Sequence, residues 1–187
     1  MKKHTILYLL CFNFLSCSLF AQTPKNDEPN AVNYSTSSYN TAIFNAVYSK
    51  RYFDSTYTPT KAEIDLAERA LSRELSKLNK PLIHQDPRQP IHRTLLRYNR
   101  QYFGYFNEKG QKILYINALH RDKSDSYMDS FLTKKIIFPF GGSHFWNISY
   151  NLVENKLFEF NVNTKEVEIE TKSEIETEEE KDQTVVE

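Results

Sequence analysis

Between Thr60 and Asn79 apolar side chains recur every third or fourth residue: Ile64, Ala67, Leu71, Leu75 and Leu78. That spacing puts them on one face of an α-helix, with Asp65, Glu68, Arg69, Arg73 and Lys77 covering the other sides. Thr60 with Glu63 forms a capping box, Pro59 stands just outside it, and Pro81 closes the far end. This is the strongest element in the pattern. Thr41 to Phe53 carries Ile43, Phe44, Val47, Tyr48, Tyr52 and Phe53, and the spacing predicts a shorter helix, although the aromatics also suit a strand.

From Thr94 the period falls to two. Leu96, Tyr98, Tyr102 and Phe106 share one side of an extended strand, and Arg97, Asn99 and Gln101 the other. Asn107 to Gly110 reads as a turn. Lys112 to Leu119 is apolar on both sides, as a central strand is. His120 to Thr133 is a polar loop, Lys135 to Phe140 a further strand, and Gly141-Gly142 a bend. Trp146, Ile148, Tyr150 and Leu152 alternate with polar residues, and Phe158, Phe160 and Val162 give the last strand its inner face. The prediction is an α+β domain over 41–163. One long amphipathic helix packs on an antiparallel sheet of about five strands, a two-layer plan with a cystatin-like outline.

The flanks differ from this core. Residues 22–40 are polar and read as a flexible leader. Residues 164–187 hold ten acidic and three basic side chains and no aromatic, which predicts a disordered acidic tail. At the start, Met1-Lys2-Lys3 is basic, Ile6 to Leu15 is mostly apolar, and the segment ends on small residues. That is the pattern of a signal peptide over 1–21, cleaved between Ala21 and Gln22. The apolar run is short for a membrane span, and no later run is longer. The expected destination is secreted or periplasmic. A rival reading makes Leu15-Ser16-Cys17 a lipobox, with Cys17 lipidated and the protein held at the outer membrane.

Composition adds exclusions. The chain has 187 residues with 24 basic and 24 acidic side chains. The neutral total hides a basic body, 22–163, and the acidic tail, and it argues against nucleic acid as a partner. Both cysteines, Cys11 and Cys17, fall within the signal segment, so cleavage removes thiol chemistry and Cys-ligated metals. Four glycines form no phosphate-cradling loop. Ser143 lacks the following glycine of a nucleophile elbow, because Phe145 stands there. His84, His92, His120 and His144 show no His-x-x-x-His spacing, and no cofactor or metal is expected.

One cluster remains. Arg93, Arg97, Gln101 and Tyr105 share a strand face by period two, and Arg100 stands beside them. This row is the candidate face for an anionic ligand or a protein partner.

Arg100-Gln101-Tyr102-Phe103-Gly104-Tyr105, Asn107 to Lys112, Tyr115-Ile116-Asn117 and Gly141-Gly142 before an aromatic strand resemble small secreted proteins of Bacteroidota with uncharacterised function. The resemblance covers 98–152 and implies a secreted α+β domain without known activity. The expected function is therefore a non-enzymatic binding module. The alternative is a small His-dependent hydrolase or metal-assisted enzyme built on the four histidines.

Overall fold

A computed structural model describes residues 29–163. The expected signal peptide, the Ala21/Gln22 cleavage site, Cys17 and the acidic tail lie outside the described residues. Within them the chain is α+β, with a mostly antiparallel open sheet. The strands are β1 (Ala31–Ser35), β2 (Asn40–Phe44), β3 (Thr56–Tyr57), β4 (Tyr98–Phe106), β5 (Lys112–His120), β6 (Gly142–Asn151) and β7 (Lys156–Asn163). The helices are α1 (Ala46–Ser49) and α2 (Lys61–Leu78), with single 3-10 turns at Ile91–Arg93 and Leu95–Arg97.

α2 forms as its pattern predicts. The Thr60 side chain accepts from the Glu63 backbone, and the Glu63 carboxylate accepts from the Thr60 backbone. Ile64, Ala67, Leu71 and Leu75 are buried, whereas Leu78 at the end of the stripe is 39% exposed. They pack on the sheet face holding Ile43, Tyr102, Ile116, Trp146, Ile148 and Tyr150, with Phe160 at its margin.

The strand order is β1-β2-β4-β5-β6-β7, and β3 pairs with β4. All pairings are antiparallel except β2 with β4, whose register begins at Asn40 opposite Asn99. A parallel pair needs a long crossover, and the stretch holding α2 provides it. The helix expected over 41–53 is thus divided. Its first residues complete β2, and one turn follows with Asn45 as its cap, accepting from Tyr48 N. The stretch expected as leader also contributes structure, since β1 falls inside 22–40. β1 carries little apolar period, because Val32, Asn33 and Ser35 are exposed. Its order comes from pairing with β2, a partner no local pattern reveals.

Two glycines are placed by geometry. Gly110, in the β4–β5 turn, has φ +72°, and Asn107 Oδ1 accepts from Lys109 N and Gln111 N. At Gly104 a Cβ would come within 2.5 Å of the Tyr57 carbonyl, so a side chain there would push β3 off β4.

The second sheet face is covered as well, and here two layers become three. Ala42, Phe44, Phe103, Leu119 and Phe145 are buried under Tyr48 of α1 and under Tyr127, Phe131 and Ile136 of the β5–β6 connection. Gln101 and Asn117 are opposite each other across β4 and β5, fully or nearly buried. Gln101 Nε2 donates to the carbonyls of Phe131 (2.9 Å) and Lys134 (2.8 Å), and Ile136 N donates back to Gln101 Oε1 (2.9 Å). Asn117 Nδ2 donates to Ile136 O (2.8 Å). The residues expected to form a strand over 135–140 therefore form none. Their backbone near Ile136 is satisfied by side-chain amides in place of a ladder.

Candidate functional site

Asp65, Arg69, Ser72 and Arg73 follow one another at helical spacing along α2, beside its apolar stripe, and the buried Glu68 lies within the stripe. They form one wall of a groove of about 480 Å³. The β1–β2 hairpin supplies the facing wall through Tyr34, Thr36, Ser38 and Tyr39, and Leu95, Leu96 and Arg100 complete the lining.

The floor is an engaged charge cluster. Arg100 is 1% exposed, and its Nε is 3.2 Å from Glu68 Oε1. That contact is an ion pair without an aligned N–H, since the guanidinium instead aims its terminal groups at the carbonyls of Tyr98 (3.2 Å) and Leu95 (2.9 Å). Tyr102 Oη donates to Glu68 Oε1 at 2.8 Å. Burial pushes the Glu68 carboxyl above the usual carboxylate range, and the Arg100 charge pulls against that rise. Burial and the neighbouring carboxylate hold the Tyr102 hydroxyl firmly protonated.

Near the rim, two hydroxyls converge on one carboxylate oxygen. Tyr34 Oη donates to Asp65 Oδ1 at 2.9 Å, and Tyr39 Oη donates to the same atom. The two rings meet edge to face, with centroids 6.0 Å apart. Burial and the bond to Asp65 raise the Tyr39 pKa. The hairpin is thereby tied to α2. Arg69 makes no ion pair among the described residues, and Arg73 reaches only its neighbour Glu74, at 3.9 Å with 68% of its own side chain exposed. The groove thus offers two available guanidiniums over a floor whose charges are already occupied.

No family model, curated protein or solved structure matches the chain.

The row of residues expected to form one binding face is not brought together. Arg93 and Arg97 lie in the two 3-10 turns before β4, both exposed, and Arg97 donates to Gln89 Oε1 at 2.7 Å. Arg100 and Gln101 follow each other in β4, so they point to opposite faces. Arg100 faces α2, and Gln101 clamps the β5–β6 connection. Tyr105, half-buried, stacks on Phe53 with centroids 4.4 Å apart. Pro90 and the turns that follow delay the strand to Tyr98, and the expected alternation starts too early.

The histidines divide likewise. His84 is exposed, and His92 Nδ1 is 3.1 Å from the Asn79 amide. His120 and His144 do meet, ring centroids 5.0 Å apart, with Asp122 Oδ2 3.5 Å from His120 Nδ1. Burial depresses the His120 pKa despite Asp122, and its Nδ1 accepts from the Asp122 backbone at 3.2 Å, as a neutral ring does. Among the described residues, no group of three or more His, Cys, Asp or Glu is placed to hold a metal ion. No helix among them is long and apolar enough to cross a membrane.

The sequence reading missed Glu68, which it placed on the solvated side of α2, and it expected Arg100 on a ligand-binding face, whereas the structure buries it against Glu68. Both left a signal. Glu68 lies four residues after Ile64 and three before Leu71, within the apolar stripe, and Arg100 shares the period-two side of Tyr98 and Tyr102.

Proposed function

We propose that the protein is a secreted or periplasmic, non-enzymatic binding module. Its ligand seat is the α2 groove, and its ligand is an acidic saccharide. One observation carries this reading: Arg69 and Arg73 stand available on a groove whose remaining charges are engaged. Available guanidiniums recognise carboxylate or sulfate through paired hydrogen bonds. The hydroxyls of Thr36, Ser38 and Ser72, with the tyrosine rings of the hairpin, suit a ligand rich in hydroxyls and weakly apolar ring faces. The cystatin-like outline and the resemblance to small secreted proteins of Bacteroidota belong to this proposal and lend it no activity.

The test is calorimetric titration with a uronic-acid trisaccharide and its neutral counterpart. The acidic sugar should bind at least tenfold more tightly. That preference should vanish in Arg69→Gln/Arg73→Gln, a surface double variant expected to melt as the parent does. Equal binding of both sugars, or none of either, would reject the reading.

The His-dependent alternative has one observation behind it, the His120–His144 contact. Neither histidine lines the groove. His120→Gln should leave saccharide binding unchanged; an effect equal to that of the arginine pair would favour the alternative.

A further inference from the structure

On the opposite face of the sheet, Lys135 extends its amine among aromatic rings. Nζ is 4.3 Å from the ring centroid of Tyr115, 4.8 Å from that of Tyr52 and 5.9 Å from that of Phe103. Among the described residues this amine makes no ion pair. Its backbone is fixed. Lys135 N donates to Tyr48 Oη at 2.9 Å, and the flanking carbonyl of Lys134 and the N–H of Ile136 are held by Gln101. A lysine placed this way is not a solvated surface charge. A desolvated amine without a carboxylate beside it is the arrangement that makes lysine a nucleophile toward carbonyl compounds.

We propose that Lys135 is a covalent attachment site, where its amine condenses with the carbonyl of a small apolar aldehyde. The nitrogen lone pair forms a C–N bond to the carbonyl carbon, and one amine proton passes to the former carbonyl oxygen to give a carbinolamine. The second amine proton then goes to that hydroxyl, the C–O bond breaks to release water, and the nitrogen lone pair forms the C=N bond of the imine. No oxidant or reductant is consumed. The three ring faces that attract the ammonium attract a protonated imine equally, and the same rings shelter an apolar ligand chain.

Burial lowers the Lys135 pKa to about 8. Cation–π attraction to the rings opposes this shift without supplying a counter-ion. The ionisable groups around the amine leave this range undisturbed. Tyr52 and Tyr115 have raised pKa values and stay protonated, and the Arg51 guanidinium stands over the Tyr48 ring. At pH 7 about a tenth of the Lys135 amines are then unprotonated. An ordinary lysine, with a pKa near 10.4, has less than about 0.1%. The lower basicity trims nucleophilicity and leaves Lys135 well ahead.

The experiment treats the full chain with limiting propanal and cyanoborohydride from pH 6 to pH 10, and maps the alkylated lysines by peptide mass spectrometry. At pH 7, Lys135 should be labelled at least tenfold faster than exposed Lys134 and Lys109, with a profile rising through about pH 8. Tyr52→Ser, which admits water at the partly exposed side of the cluster, should bring Lys135 down to parity with Lys134 while the chain stays folded by circular dichroism. Labelling of Lys135 no faster than Lys134 at every pH would overturn the proposal. So would labelling that appears only in denaturant, because the rings would then be excluding the ligand.

Discussion

Leu75→Asp should fail to fold. Leu75 is fully buried on α2, and its surroundings on the sheet are apolar. An isolated carboxylate there either stays charged without a partner or takes up a proton at a cost that exceeds a small domain's margin of stability. Leu75→Ala separates the charge from the lost volume and should cost about 2–5 kcal/mol in chemical denaturation, the range for deleting a buried leucine side chain. Circular dichroism and denaturant titration check both. A folded Leu75→Asp protein as stable as the parent would show that α2 does not carry the core.

The second large effect falls on the floor of the groove. Arg100→Met leaves Glu68 buried against an apolar side chain and should cost about 3–5 kcal/mol, as breaking one side of a buried pair does. Replacing both partners, Glu68→Leu/Arg100→Met, should recover most of the loss, because neither charge is then stranded. The pair also sets a pH dependence. A carboxyl whose folded pKa lies above its unfolded value favours the native state fully below the unfolded carboxylate range, about pH 4.3, and that contribution is lost as the pH rises through the folded value. Burial raises Glu68 in this way. The stability of the parent relative to Glu68→Gln should therefore be greatest near pH 4 and fall toward pH 7. A difference that grows with rising pH would mean that the Arg100 charge outweighs burial.

The parts of the fold that were legible from the sequence are those whose pattern is local. The capping box and apolar stripe give α2 almost to the residue, alternation gives β4, β6 and β7 apart from their ends, and a run apolar on both sides gives β5. β2 was hidden because Ile43, Phe44, Val47 and Tyr48 fit a helical spacing until Asn45 caps a new element within the run. β1 was hidden because its order depends on a partner strand. The largest departure concerns Asn99 and Gln101, which alternation places on the polar side of β4, together with Asn117, a polar residue inside a strand read as apolar on both sides. All three are buried, because the long β5–β6 connection folds back and takes its hydrogen bonds from them. A strand face next to a long loop of unknown course is thus ambiguous from its own residues. The same ambiguity dispersed the expected arginine row. Periodicity put Arg100 on the side of Tyr98 and Tyr102, yet its charge suggested the surface; only an acidic partner within the helix stripe, Glu68, reconciles the two.

Ligand should sit in the α2 groove. Backbone amide shifts of the labelled protein, followed while a uronic-acid trisaccharide is added, test that directly. The largest changes should fall on residues 36–39, 65–73 and 95–100, with those around Lys135 on the opposite face unmoved. Saturable changes confined to the 121–140 connection, or spread without regard to the groove, would contradict it.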